Sequence, residues 1–330
     1  MSYSHRIWIY WPVGLLLMVV LLYSIFWRVE ADMLAARLDR ANGGEIAPGV
    51  MFAFAEKSIG GYPFRLDVLL SGVTVAHRSP DGEIAWRSER LALHAMTYGG
   101  DLYILEADGL QSFEQPGAAG AMPQVFYVTP AVARASVILR DKKLARLDVD
   151  LWQPEGKEAS LNADPTRTFS AGRAQLHFLT HLDNTIDVAL RIDQGKLGDG
   201  YHPALGNELA LIDLRGKLLN TAPLAGLETG SESVFDATEH WREAGGTLAV
   251  DKLSLDWGNV KTDLTGAIGL DEQHRPDGAL MGTFDAGALV SALSKGNLNL
   301  TGMGEAKFSL LFKDGDIRVG AGSALAGTGR

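Results

Sequence analysis

Residues Ile186 to Asp193 read IDVALRID. Ile186, Val188, Leu190 and Ile192 share one parity; Asp187, Arg191 and Asp193 share the other. Successive side chains of a strand point to opposite faces, so this alternation is that of a half-buried strand. The pattern recurs on both sides of it. Ala174, Leu176 and Phe178 oppose Arg173, Gln175 and His177, and Leu147, Val149 and Leu151 oppose Asp148 and Asp150. Further on, Val260, Leu264 and Ile268 oppose Lys261 and Asp263, and Phe308, Leu310 and Phe312 oppose Lys307, Ser309 and Lys313. Repeated alternation of this kind describes antiparallel sheet with one buried and one wet face. The chain is therefore expected to be mainly β, a curved antiparallel sheet or sheets with a few short helices.

Some strands change phase. Leu66, Val68 and Leu70 share a parity, and after Ser71-Gly72 it passes to Val73 and Val75. Leu248 and Val250 give way to Leu253, Leu255 and Trp257 across Asp251-Lys252. One inserted residue has this effect, so bulges and bent strands are expected there. Asp81-Gly82 and Asp314-Gly315 have the composition of hairpin turns. Ser231–Glu243 and Ala286–Ser294 are the expected short helices. The stretch from 195 to 245 is irregular, and a subdivision of the β region is placed within it.

Upstream, Ile7 to Trp27 reads IWIYWPVGLLLMVVLLYSIFW, 21 residues without a charge. At about 1.5 Å per residue this helix covers about 30 Å, the thickness of a bilayer's hydrocarbon core. Trp8, Tyr10 and Trp11 mark one end and Tyr23, Phe26 and Trp27 the other, as in an aromatic belt. A signal peptide has a shorter apolar run and a small-residue cleavage site, and neither is present. We read a short cytoplasmic N-terminus (1–6), a transmembrane anchor (7–27), a juxtamembrane helix (28–44) closed by Gly43-Gly44, and a β-rich extracytoplasmic region (45–330). The expected location is the bacterial inner membrane, single-pass, with the bulk in the periplasm. Long domains translocate largely regardless of flanking charge, which favours that orientation over the one Arg28, Arg37 and Arg40 would set.

Beyond the span, 29 Lys and Arg face 40 Asp and Glu. Such an acidic balance argues against a nucleic-acid partner. There is no cysteine, hence no disulfide and no thiolate chemistry. His177 and His181 have a spacing that suits a metal only on a helix, and His177 lies in a strand pattern. The acid pairs Asp148/Asp150 and Asp187/Asp193 are what a wet strand face carries. Gly320-Ala321-Gly322 lacks the strand–loop–helix setting of a phosphate cradle. No catalytic residue, metal ligand or cofactor is expected, and the protein is read as a non-enzyme.

The most distinctive local motif is Gly60-Gly61-Tyr62-Pro63-Phe64-Arg65. Two glycines admit positive φ, Pro63 fixes its own φ, and Tyr62 is pushed towards extended geometry. This makes a sharp corner into the strand that follows, either structural or a docking site. With the helices before it and GGYPFRLDVLLSGVTV through it, the chain resembles the bacterial family known as domain of unknown function 2125. Trp241–Gly269, with W-x3-GG ahead of L-x-L-x-W-G, and Phe308–Gly320, with K-D-G-D-I-R-V-G, fit the same resemblance. The family brings no activity to carry over. A looser architectural likeness, to AsmA-type envelope proteins, implies a lipid-facing groove.

Three functional readings follow. The first is an envelope module that contacts or holds membrane lipid, with Leu66, Val68, Leu70, Val188, Leu190, Leu264 and Ile268 lining an apolar groove. The second is a structural or protein-interaction module with a closed core, partnered by other envelope proteins. The third is an enzyme whose site leaves no pattern. Whether the aliphatic face is covered or open separates the first two.

Overall fold

The structure is a computed structural model that describes residues 7–79, 82–96, 101–116, 123–141, 143–159, 167–198, 201, 206–229, 231–258, 260–285 and 305–321. One helix, α1 (Ile7–Ala41), carries the apolar run and continues past it. Span and juxtamembrane segment are thus one helix. It stops at Gly43, whose φ of 75° lets the backbone turn into strand at Gly44. The expected helix at Ala286–Ser294 lies outside the described residues.

The β region is one antiparallel meander. Short strands β1 (Gly44–Ala47), β2 (Val50–Ala53) and β3 (Glu56–Gly60) lead in. β2 and β3 both pair with β4 (Arg65–Ser79). Then β5 (Gly82–Met96) and β6 (Leu102–Gln115) follow in order. The next three runs are each divided: β7 and β8 (Gln124–Thr129, Val132–Arg140), β9 and β10 (Lys143–Trp152, Glu155–Ala159), β11 and β12 (Arg167–Ser170, Arg173–Thr180). Pairing passes along both halves to β13 (Ile186–Leu197). The meander ends with β14 (Glu208–Leu219), β15 (Thr247–Trp257), β16 (Val260–Leu270), β17 (Pro276–Asp285), β18 (Glu305–Lys313) and β19 (Asp316–Ala321). Among the described residues no pairing joins β1–β3 to β19. The sheet runs unbroken through the irregular stretch, where β14 pairs on both sides.

A crease crosses the sheet. Gly72, Gly109, Gln153 and Gln194 all have φ between 45° and 79°. Pro130-Ala131, Gln153-Pro154 and Ala171-Gly172 interrupt the three divided runs at matching heights. Backbone bonds still bridge them, Ala131 N donating to Trp152 O at 2.9 Å and Gln153 N to Gly172 O at 3.0 Å. Each interruption bends its strand, so stacked interruptions fold the sheet along a line. The phase switch at Ser71-Gly72 is where this line crosses β4. A second bulge, at Asp251, shifts the register of β15 against both neighbours.

Between β14 and β15 a helical insert carries α2 (Ala225–Thr229) and α3 (Val234–Glu243). Ser233 caps α3, accepting from Asp236 N. Trp241 is buried on α3 and its indole N–H donates to Leu219 O at 2.8 Å. A Cβ on Gly246 would stand 2.2 Å from that indole, which explains the W-x3-GG motif. At Asp314-Gly315 both residues have positive φ, as the expected hairpin turn demands.

Candidate functional site

Register decides which side chains share a face, because residues directly opposite on neighbouring strands point the same way. Val68 is opposite Leu93, and the line continues through Leu105, Ala135, Val149, Leu176, Leu190, Leu214, Leu253, Leu264, Gly282 and Phe308. At roughly 4.8 Å per strand that row is about 50 Å long. Leu66, Val188 and Leu280 belong to the row beside it, Leu70 to the row on the other side, and Ile268 to a row with Ile186, Leu218 and Leu248. All seven aliphatic residues singled out in the sequence therefore lie on one continuous face.

That face is covered unequally. At the N-terminal end Leu66, Val68 and Leu70 are buried. Trp27, Ala31 and Leu34 of α1 pack around Leu66, and Leu34 and Leu38 pack with Phe54 over Val68 and Leu70. At the C-terminal end Val250, Leu264, Leu280 and Phe308 form a buried cluster. Glycine makes this closure dense: a Cβ on Gly282 would stand 2.8 Å from Leu264 Cδ2, so the large neighbour lies over the bare backbone. Between the ends, Val188, Leu190 and every residue of β12 except exposed Leu179 are half-buried. A cavity of about 240 Å³ opens in the crook of the crease, lined by Trp86, Leu91, Leu105, Phe113, Val128 and Leu151 among others. Its polar lining residues are Arg134 and Gln111, and Gln111 accepts from Trp86 Nε1 at 3.2 Å.

The opposite face is a ladder of charges. Arg134 bonds Glu106 at 2.6 Å, Arg173 holds Asp150 through two bonds of 2.7 and 2.8 Å, and Arg191 spans Asp193 and buried Asp213. His177 and His181 face carboxylates, Nδ1 to Asp148 and Nε2 to Asp187, each at 2.7 Å. They bond to separate carboxylates, and no group of three His, Cys, Asp or Glu converges as a metal site among the described residues. Burial opposes ionisation of Asp148, yet hydrogen bonds from Arg146 and His177 hold its carboxyl below the ordinary range. Hydrogen bonds from Arg173 do the same for Asp150 and from His181 for Asp187.

The Gly60–Arg65 corner is docked on α1. Ser24 Oγ and Tyr62 Oη are 2.7 Å apart, Tyr23 Oη donates to Pro63 O, and Trp27 Nε1 donates to Arg65 O at 3.0 Å. The Trp27 and Tyr62 rings meet edge to face at 5.5 Å. The Tyr62–Pro63 peptide is cis. Gly61 has φ of 93°, and a Cβ there would lie 2.7 Å from Arg65 O, so only glycine fits. Neither these contacts nor the histidine–aspartate pairs follow from local spacing, since each joins residues 6 to 40 apart.

The architecture is thus a creased, one-sided apolar meander behind an N-terminal helix long and apolar enough to cross a membrane. The chain belongs to the family described as an uncharacterized protein conserved in bacteria (DUF2125), whose model matches residues 27–321. No curated protein and no solved structure matches it.

Proposed function

We propose that the protein is a single-pass, membrane-anchored module of the bacterial cell envelope that contacts or holds lipid. In this reading α1 fixes the chain in the inner membrane, the sheet stands in the periplasm, and the partly exposed middle of the apolar face takes acyl chains. The observation that carries it is the contrast along one aliphatic row: Val68 and Leu264 are 1% and 3% exposed, whereas Leu190 between them is only partly buried, and Leu105, Ala135 and Val149 of the same row line the cavity. The cavity is smaller than the roughly 300–1,000 Å³ typical of enclosed ligand pockets, which suits a chain lying along a trough. Apolar contact contributes about 25 cal/mol per Å² before ordering costs, so a long acyl chain gains enough to be retained.

The second reading, a structural or protein-interaction module, draws on the two ends of the face, which are closed by the protein's own side chains. Native mass spectrometry of the full chain released from membranes separates the two. Phospholipid or fatty-acid adducts that survive detergent exchange support the lipid reading. A bare polypeptide mass under the same conditions supports the closed one. No cofactor, nucleic acid or catalytic role is part of either.

A further inference from the structure

The corner contacts α1 below the end of its apolar run. Tyr23 and Ser24 receive Pro63 and Tyr62, whereas the uncharged stretch continues to Trp27. At about 1.5 Å per residue, Tyr23 is about 6 Å short of Trp27 along the helix axis. On this level α1 has two different sides. Leu21, Leu22, Ile25 and Phe26 are 45–60% exposed, while Trp27 is buried against the corner. The corner is uncharged from Gly60 to Phe64, and its tip is open: Tyr62 is 49% and Phe64 68% exposed. The first charge, Arg65, is 2.8 Å from Asp67, one step further from the span.

We propose that the Tyr62-Pro63-Phe64 tip is immersed in the phospholipid bilayer at the boundary between acyl chains and headgroups, as a second point of membrane contact beside the helix. Continuity with the span selects this occupant. Aromatic side chains concentrate at that depth, and an uncharged aromatic tip followed by an arginine reproduces its apolar-to-polar gradient. The strand that starts there leads to Leu66, so the apolar face of the sheet begins at the bilayer surface. This inference rests on the anchor reading of α1 and not on the lipid-holding reading of the groove.

The chain has no cysteine, so single introduced cysteines can be labelled cleanly. Full-length Phe64→Cys, Leu16→Cys and Ile84→Cys carry an environment-sensitive fluorophore in phosphatidylethanolamine–phosphatidylglycerol vesicles. Leu16 is exposed in the middle of the apolar run, and exposed Ile84 pairs with His77, about 40 Å along β4 from the corner. The Phe64 label should be quenched by lipids spin-labelled near the top of the acyl chain. It should also be shielded from aqueous iodide several-fold relative to Ile84. Quenching of Phe64 by iodide as readily as Ile84, with Leu16 still quenched by spin-labelled lipid, overturns the immersed tip and leaves the anchor standing. Iodide access at Leu16 overturns the anchor itself, and the inference with it. A Phe64 label shielded from iodide yet insensitive to spin-labelled lipid means that protein covers the tip, which also overturns it.

Discussion

Leu190 and Leu264 are the same residue type on the same row of the same face, separated by two strands, and truncating each to alanine measures how that face is covered. Leu→Ala removes three carbons, worth about 2.4 kcal/mol at roughly 0.8 kcal/mol each when fully buried. Leu264 is 3% exposed among Val250, Leu280 and Phe308, so its truncation also leaves a closed void. The sum should reach about 3–4 kcal/mol, inside the range of Leu→Ala series. Leu190 is only partly buried, so about two-thirds or more of the transfer contribution applies with a smaller cavity cost, giving roughly 1.5–2 kcal/mol. Urea titration of the full chain in lipid nanodiscs, followed by tryptophan fluorescence, gives both values. Equal losses at the two positions would refute the contrast between a sealed end and an open middle.

Other expectations follow from specific contacts. Gly246→Ala should destabilise by about 1–3 kcal/mol, because the new methyl collides with the Trp241 indole; a neutral thermal melt would show that the insert is loosely packed. Asp148, Asp150 and Asp187 have carboxyls held below their ordinary range, so their stabilisation is complete above about pH 4 and fades as pH falls through the lowered values. Unfolding monitored between pH 6 and 3 should show stability dropping below about pH 4, less steeply in Asp150→Asn; a slope unchanged by that substitution would discount the Arg173 bonds. A periplasm-active reporter fused at Gly230 should be active and a cytoplasm-active one silent, and the reverse would invert the orientation.

The fold was legible where the physics is local. Alternation at Ile186–Asp193 and its neighbours carries the strand content, because a half-buried pleat leaves a period of two. Asp314-Gly315 carries its turn, and the apolar run its helix. The crease was visible only at Ser71-Gly72, where it shifts the hydrophobic phase. At Gln153 and Gln194 it rests on non-glycine residues with positive φ, which composition does not flag. The irregular 195–245 stretch concealed β14 because its pairing with β15 is itself bulged at two places. In the candidate face, the seven aliphatic residues were legible as inward positions of separate strands. Their convergence on one surface depended on register, which local sequence does not hold. Leu66 and Val68 are closed by α1 and Leu264 by glycine-backed neighbours, whereas Leu190 is only partly buried. That difference comes from long-range packing. The docking of Tyr62 and Pro63 onto Tyr23 and Ser24 was hidden for the same reason, although the glycines marked the corner itself.

The central claim is that the middle of the apolar face meets lipid. A photo-crosslinking amino acid placed at Leu190, on that face, and at Arg191, on the charged face of the same strand, tests it in living cells. After irradiation, mass spectrometry of the purified protein should find phospholipid-derived adducts at position 190 and none at 191. Adducts absent from both positions, or equally frequent at both, would contradict the account.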